Sequence, residues 1–111
     1  MLHEKLECYR RSVGVAEELS KESARWPRGL GYLVDQHRRA MASVILNISE
    51  GNYRRGDAER RRFFEIARAS AAEVSACVDL MHAFGLIDSE RTLSLKSRLE
   101  EISKMLWGLM R

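Results

Sequence analysis

Apolar residues recur every three or four positions through most of this chain, the spacing that places side chains on one face of an α-helix. The repeat predicts four helices, at about 3–24, 27–51, 57–84 and from 88 towards the C-terminus. The third has an apolar seam of Phe64, Ala67, Ala71, Val74, Val78 and Met81. The seam of the fourth consists of Leu95, Leu99, Ile102, Leu106 and Leu109, and that of the first of Leu6, Tyr9, Val13, Ala16 and either Leu19 or Ser20. An all-α protein is therefore predicted.

Capping and helix-breaking residues separate the four segments. Pro27 suits the first position of the second helix, where its missing N–H costs nothing, and Gly51 is predicted to end that helix. Asp57 and Asp88 are predicted N-caps of the third and fourth helices, and Gly85 is predicted to close the third. Because short connections join antiparallel neighbours, we expect one domain over residues 1–111, an antiparallel up-down-up-down four-helix bundle.

A polar stripe runs along the second predicted helix. Its members follow the helical spacing and are Gln36, Arg39, Ser43, Asn47 and Glu50. Apolar residues flank the stripe, so it should be partly buried, and buried polar groups need partners from another helix, another subunit or a ligand. We predict a structural network in which the stripe meets Ser70 and Glu73 of the third helix. Removal of one member is then expected to cost about 3–5 kcal/mol.

Composition limits the class of protein. One proline in 111 residues, with 45% hydrophobic and 32% charged residues, suits a helical protein. No apolar run approaches the roughly 20 residues that span a bilayer, and the charged N-terminus lacks a signal-peptide core, so a soluble cytoplasmic protein with no membrane partner is expected. Cys8 and Cys77 are predicted to be reduced core or interface residues. The three histidines lie far apart and no cofactor motif occurs, so neither a metal nor a cofactor is expected.

Positive charge is concentrated in the middle of the chain. Residues 25–68 contain ten arginines, no lysine and five acidic residues, whereas the rest of the chain has more acidic than basic residues. The arginine fork matches phosphate oxygens, which makes this region a candidate nucleic-acid surface. The candidate contacts are Arg38, Arg54, Arg55, Arg60, Arg61, Arg62 and Arg68. The alternative is that these arginines form salt bridges to acids of a neighbouring helix or subunit.

Known motifs for chemistry or for reading a base sequence are missing. Gly29-Leu30-Gly31 lacks the surrounding residues of a phosphate loop, and Glu50 and Glu73 each have arginines nearby, so ion pairs are the better interpretation. We therefore predict no catalytic residues and no enzyme activity. Tyr53 and Trp26 lie near arginines and are candidates for stacking on a base, although aromatic residues at helix boundaries more often anchor packing.

Apolar residues beyond the needs of one small core indicate self-association. They lie on the first and fourth helices and are Tyr9, Val15, Leu93, Met105, Trp107 and Met110. Surplus apolar surface marks interfaces, so a homo-oligomer is expected.

Several motifs, taken together, resemble one protein family. They are Gln36-His37-Arg38-Arg39-Ala40, Ser43-Val44-Ile45-Leu46-Asn47-Ile48-Ser49-Glu50-Gly51, Ala67-Arg68-Ala69-Ser70 and Glu73. Their order and spacing resemble those of the 23S rRNA intervening-sequence proteins over nearly the whole chain. Val44, Ser49 and Ala69 stand where the family pattern has Ile, Ala and Gly.

The resemblance implies a four-helix bundle that assembles into a ring-like homopentamer. The chain is also more distantly similar to the accessory variability determinant of diversity-generating retroelements, a basic bundle that binds a reverse transcriptase and nucleic acid. Two hypotheses follow. In the first, an oligomer binds RNA or DNA through its arginines; in the second, the chain is a scaffold for a protein partner, for example as a reverse-transcriptase accessory subunit, and the arginines form salt bridges.

Overall fold

Four helices make up the computed structural model, which describes residues 2–111. They are α1 (Leu2–Ser23), α2 (Gly31–Tyr53), α3 (Asp57–Ala83) and α4 (Ser89–Met110). Each helix packs against two others, α1 and α3 both lying between α2 and α4, so the four enclose one core. The all-α prediction is confirmed. No helix within residues 2–111 is long and apolar enough to cross a bilayer.

Cross-helix contacts establish the direction of each helix. Arg11 of α1 pairs with Glu101 of α4 and Glu18 with Arg98, so the partner number falls as the α1 number rises. The same reversal relates α2 to α3, where Gln36 bonds to Glu73 and Ser43 to Ser70. It also relates α3 to α4, through Arg68 with Ser103 and Asp79 with Lys96. Sequential helices are therefore antiparallel, as an up-down-up-down bundle requires.

The predicted seams of α3 and α4 are confirmed, but that of α1 is wrong in part. All six α3 positions and all five α4 positions are buried. The buried face of α1 contains Cys8, Ser12, Val15 and Leu19, of which only Leu19 was predicted, while the predicted Leu6 and Tyr9 are exposed. The Ser12 hydroxyl donates to the Cys8 carbonyl at 2.9 Å, and this satisfied hydroxyl lets a polar residue occupy a core position.

Two residues predicted to form an intersubunit interface also belong to the core. Val15 is fully buried and Met110 is 7% exposed. Met105 is half-buried and packs against the core, which leaves only Tyr9, Leu93 and Trp107 of that set exposed. Leu93 and Trp107 are separated by about 21 Å along α4, at 1.5 Å per residue. They do not form one patch.

Three predicted helix boundaries differ from those observed. Pro27 lies in the connection before α2, which begins at Gly31, and α2 continues through Gly51 to Tyr53. Gly51 is buried within the helix, where the ring of Phe64 occupies the space that a Cβ would need. Asp57 is the first residue of α3, and its carboxylate pairs with the Arg60 side chain instead of capping an amide.

The connection between α3 and α4 matches its prediction. Gly85 adopts a φ of +74°, a conformation that other residues rarely adopt, and closes α3. Asp88 caps α4 by accepting a hydrogen bond from the Arg91 amide at 2.7 Å.

Candidate nucleic-acid interface

A three-residue turn between α2 and α3 gathers much of the positive charge at one end of the bundle. The backbone is extended at Arg54, φ −71° and ψ 142°, and at Gly56, φ −73° and ψ 134°. The chain thus reverses between Tyr53, the last residue of α2, and Asp57, the first of α3. We call the five arginines of this turn and the first turns of α3 the arginine cluster: Arg54, Arg55, Arg60, Arg61 and Arg62.

Two members of the arginine cluster already have carboxylate partners. Arg54 Nη2 lies 3.0 Å from Glu50 Oε2, and its guanidinium lies 5.2 Å from the ring centroid of Phe63. Arg60 Nη2 lies 2.9 Å from Asp57 Oδ1. The side chains of Arg54 and Arg60 are 38% and 19% exposed. These two arginines hold the turn together.

The other three members carry charge that is not neutralised. Arg55, Arg61 and Arg62 are exposed, and none forms an ion pair with any residue in the range 2–111. The Arg62 guanidinium lies 5.8 Å from the Phe63 ring centroid, so the Phe63 ring contacts the guanidiniums of both Arg54 and Arg62. Cation–π attraction to one ring restrains both arginines. Arg55, Arg61 and Arg62 are the cluster members available to an anionic ligand.

Arg38 and Arg68 lie away from the cluster. Arg38 is exposed on α2, about 24 Å from Arg54 at the helical rise of 1.5 Å per residue. Arg68 is half-buried two turns along α3 from Arg61, and its Nε donates to Ser103 Oγ at 3.2 Å. Its guanidinium lies 5.2 Å from the Trp107 ring centroid. The seven predicted arginines thus form one cluster and two separate positions.

The polar stripe of α2 meets α3 along one seam, though with fewer members than predicted. Ser43 Oγ and Ser70 Oγ are 2.7 Å apart, and Asn47 Nδ2 donates to the Ser43 carbonyl at 2.7 Å. Gln36 Nε2 donates to Glu73 Oε2.

The predicted network needs two corrections, because Glu50 and Arg39 do not join it. Glu50 pairs with Arg54, its neighbour one turn along the chain, and Arg39 is exposed without a hydrogen bond or ion pair within residues 2–111. Glu73 is also exposed, which removes the basis for a cost of 3–5 kcal/mol on its loss.

Apolar side chains accompany this seam on the outer surface. Leu46 is 63% exposed and Ile66 is 38% exposed, and the antiparallel register places them opposite each other across α2 and α3. We call the surface formed by Leu46, Ile66, Ser43, Ser70 and the Gln36–Glu73 pair the α2–α3 face. It combines apolar area with polar groups whose partners are already in place.

Sequence reasoning missed the role of Phe63, whereas Trp26 follows the packing alternative. Phe63 comes directly after the last arginine of the cluster, and nothing in the sequence indicated that its ring would contact both Arg54 and Arg62. Trp26 is half-buried and contacts His37 edge-on, with ring centroids 5.9 Å apart at 71°. Trp26 therefore anchors the α1–α2 connection, whereas Tyr53 is 82% exposed beside the cluster.

Both cysteines and one of the histidines, His37, are buried in the bundle. Burial raises the pKa of the Cys8 thiol to about 12 and raises that of Cys77, with the Glu73 charge adding to the latter. Burial, with a smaller contribution from the Arg38 charge, lowers the pKa of His37. Within residues 2–111 no three His, Cys, Asp or Glu side chains converge on a point that could hold a metal ion. What the cluster offers chemically is fixed positive charge for binding anions.

Comparison with known proteins places the chain in a family. A crystal structure of a protein of unknown function from the S23 ribosomal protein family of Bacteroides thetaiotaomicron has the same fold, with a TM-score of 0.72 at 23% identity over 98% of this chain and 96% of that one. A comparison with curated proteins finds no match. The model of the 23S rRNA-intervening sequence protein family matches residues 4–108. The chain therefore belongs to the 23S rRNA-intervening sequence protein family.

Proposed function

We propose that this chain is a non-enzymatic, self-associating bundle that binds nucleic acid through the arginine cluster. The observation that carries the proposal is the exposure of Arg55, Arg61 and Arg62 at one end of the bundle without a carboxylate partner in residues 2–111. Arginine forks bind phosphate oxygens in pairs of hydrogen bonds, and a field of unneutralised arginines attracts a polyanion over a longer range.

The position of the cluster also supports a ligand. Arg60, Arg61 and Arg62 follow the first turn of α3, close enough to its N-terminus for positive charge to be mildly unfavourable, by a few tenths of a kcal/mol at most. Asp57 pairs with Arg60, but within residues 2–111 no carboxylate pairs with Arg61 or Arg62. A charge kept against its local preference is explained when it binds something.

Self-association through the α2–α3 face would repeat the cluster on every subunit. Leu46 and Ile66 are exposed there beside polar groups that are already satisfied, a combination that lets a second copy bury apolar area at low desolvation cost. A pentamer is favoured by the family resemblance. Linked clusters would raise the avidity for a polymer without any new contact within a subunit.

The second candidate is a protein-interaction scaffold. The α2–α3 face supports it, because the same exposed Leu46 and Ile66 suit a different protein as well as a second copy. The arginine cluster would then contact acidic side chains of the partner. A reverse transcriptase is one such partner by resemblance. Absence of nucleic-acid binding at low salt would favour this candidate.

The deciding experiment measures RNA and DNA affinity at several salt concentrations between about 50 and 200 mM. The variant Arg55→Gln/Arg61→Gln/Arg62→Gln removes the three unpaired members and leaves the structural pairs of Arg54 and Arg60 intact. We expect weaker binding to all sequences, and a log–log salt slope reduced by roughly one unit for each arginine.

A matched control removes the same charge elsewhere. Arg10, Lys21 and Arg28 are exposed and form no ion pair within residues 2–111, so Arg10→Gln/Lys21→Gln/Arg28→Gln should leave the slope nearly unchanged. Wild-type protein that binds neither RNA nor DNA at low salt, or two triple variants with equal slopes, would contradict the proposal.

Self-association is tested separately by sedimentation equilibrium. Leu46→Glu/Ile66→Glu should lower the mass to that of the 12.8 kDa chain. Leu93→Glu, at a 70% exposed position far from this face, should keep the oligomer. A wild-type protein that sediments as a monomer at micromolar concentration would contradict this part of the proposal.

A further inference from the structure

A groove between α3 and α4 leads away from the arginine cluster. It has a volume of about 530 Å³ and is lined by Arg68, Glu100, Ser103, Lys104 and Trp107. A second pocket of about 240 Å³ shares Glu100 and Ser103 with it and is lined on α3 by Ala71, Ala72 and Ser75. Ligand sites in proteins commonly have volumes of about 300–1,000 Å³, so the space suits a group the size of a nucleotide.

Trp107 is the unusual feature of the groove. Its neighbours Leu106 and Leu109 belong to the core, but Trp107 points outside the core and is 50% exposed. The Arg68 guanidinium lies 5.2 Å from its ring centroid, and the Arg68 Nε–H is held by Ser103 Oγ at 3.2 Å. The ring is thus held in position by a cation while half of its surface remains free. A fixed, half-exposed indole is a stacking surface for another planar group.

The charge around Trp107 favours an anionic ligand. Arg68 has no carboxylate partner within residues 2–111, so its charge is unneutralised. Lys104 Nζ lies 3.3 Å from Glu100 Oε1, but both side chains are 71% exposed, and such surface pairs are weak. Glu100 is the only carboxylate among the five lining residues. The lining therefore offers two cations and one anion beside an aromatic surface.

The groove continues the surface of the arginine cluster. Arg61 and Arg68 are seven residues apart on α3, which places them on the same side of the helix about 10 Å apart. A polymer bound at Arg61 can therefore follow α3 to Arg68 and Trp107. Duplex bases are stacked inside the helix and cannot reach an aromatic side chain without being flipped out, whereas single-stranded bases can.

We propose that the α3–α4 groove binds single-stranded nucleic acid by stacking one base on Trp107, with Arg68 and Lys104 contacting the adjoining phosphates. This inference rests on the proposed function, since the arginine cluster supplies the rest of the binding surface. It adds a preference for single strands that the cluster alone does not provide, because phosphate contacts do not distinguish an exposed base from a paired one.

The experiment uses the full chain and single strands of about twelve nucleotides, RNA and DNA in separate arms, with a duplex of equal length as the third arm. In the first measurement, Trp26→Phe leaves Trp107 as the one tryptophan, whose fluorescence is excited selectively at the red edge of its absorption. We expect saturable quenching of Trp107 by either single strand and little by the duplex. The two single-strand arms show whether the sugar contributes as well.

The second measurement compares affinities of variants. Trp107→Leu should weaken single-strand binding about tenfold, since one stacked base is lost, and leave duplex binding unchanged. Trp107→Phe should restore part of the loss. Phe84→Leu is the matched control, because Phe84 is 49% exposed at the opposite end of the bundle, and it should have no effect.

The outcomes separate the two proposals. Salt-dependent binding without quenching of Trp107 would overturn the groove proposal and leave the arginine-cluster proposal standing. Trp107→Leu that weakens duplex and single-strand binding equally would have the same consequence. A change in oligomer mass in Trp107→Leu would make Trp107 an interface residue and overturn the groove as well. No binding by the wild-type protein in any arm would overturn both proposals.

Discussion

The backbone of Gly51 lies directly against the ring of Phe64. A Cβ at Gly51 would stand 2.7 Å from Phe64 Cδ1, closer than real Cβ atoms approach other heavy atoms. Phe64 is itself fully buried, so its ring has no free space into which to move. The packing of α2 on α3 thus depends on the absence of a side chain at Gly51. The same packing brings the arginine cluster together and holds the polar seam, that is, the Ser43–Ser70 and Gln36–Glu73 hydrogen bonds.

Gly51→Ala should therefore destabilise the protein. Alanine ordinarily stabilises a helix interior relative to glycine by about 0.5–1 kcal/mol, but overpacking here is expected to cost about 1–3 kcal/mol. Gly14→Ala is the control, because Gly14 lies inside α1 and its nearest neighbour is the flexible end of Arg98 at 3.4 Å. Urea denaturation should show a lower free energy of unfolding than the wild type for Gly51→Ala and a higher one for Gly14→Ala. A Gly51→Ala protein as stable as the wild type would mean that Phe64 has room to move.

The polar seam should contribute modestly to stability, and unevenly. Ser70→Ala removes the partner of a half-buried Ser43 hydroxyl and should cost about 1 kcal/mol. Glu73→Ala should cost well under 1 kcal/mol, because Glu73 and Gln36 are both exposed. Thermal or urea unfolding of both variants checks the order. A larger loss for Glu73→Ala than for Ser70→Ala would show that the Glu73 carboxylate is buried in the functional form, as an oligomer interface would require.

Sequence reasoning succeeded where a buried face is almost entirely apolar. The predicted seams of α3 and α4 are apolar throughout, with Thr92 the one buried polar residue on these two helices, so the spacing alone gives both the helix and its buried side. On α1 the core face includes Ser12 and Glu22, and Glu22 is 4% exposed because Arg25 and Arg91 pair with it. A polar residue with a satisfied partner cannot be distinguished from a surface residue until the partner's position is known.

The same limit applies to the candidate interface. The sequence indicates a surplus of arginine between α2 and α3, but not which arginine is neutralised. Arg60 and Arg61 lie three and four residues after Asp57, and both spacings allow an ion pair on a helix, yet the Asp57 carboxylate pairs with Arg60. Gly51 shows a similar ambiguity, since a glycine suits both a helix end and a close helix contact.

Both cysteines should be unreactive while the protein is folded. Cys8 and Cys77 are free thiols, 0% and 3% exposed, and a pKa of about 12 leaves Cys8 almost without thiolate at neutral pH. A thiol-specific disulfide reagent should modify neither quickly in native protein and both in denaturant. Ser20→Cys places a thiol at an exposed position of the same helix and should react at once. Rapid native labelling at Cys8 would show that α1 opens readily.

Stability should fall in mild acid because of His37. The His37 ring is 1% exposed and its Nε2 has no hydrogen-bond partner within residues 2–111, so burial lowers its pKa in the folded protein. The unfolded chain takes up a proton near the ordinary histidine pKa of about 6.5, whereas the folded chain does so only at lower pH. Unfolded protein therefore binds more protons between the two values. The contribution that neutral His37 makes to the free energy of unfolding is therefore fully present above about pH 6.5 and decreases as the pH falls below that value.

The test is a series of urea denaturation curves between about pH 7.5 and 5.5. His37→Phe keeps a ring of similar size against Trp26 and removes the titrating group, so its free energy of unfolding should vary less with pH than that of the wild type. His82→Gln changes an exposed histidine on α3 and should keep the wild-type dependence. The prediction is contradicted if the wild type has the same free energy of unfolding throughout this pH range. It is also contradicted if the free energy of unfolding of His37→Phe falls with pH as steeply as that of the wild type.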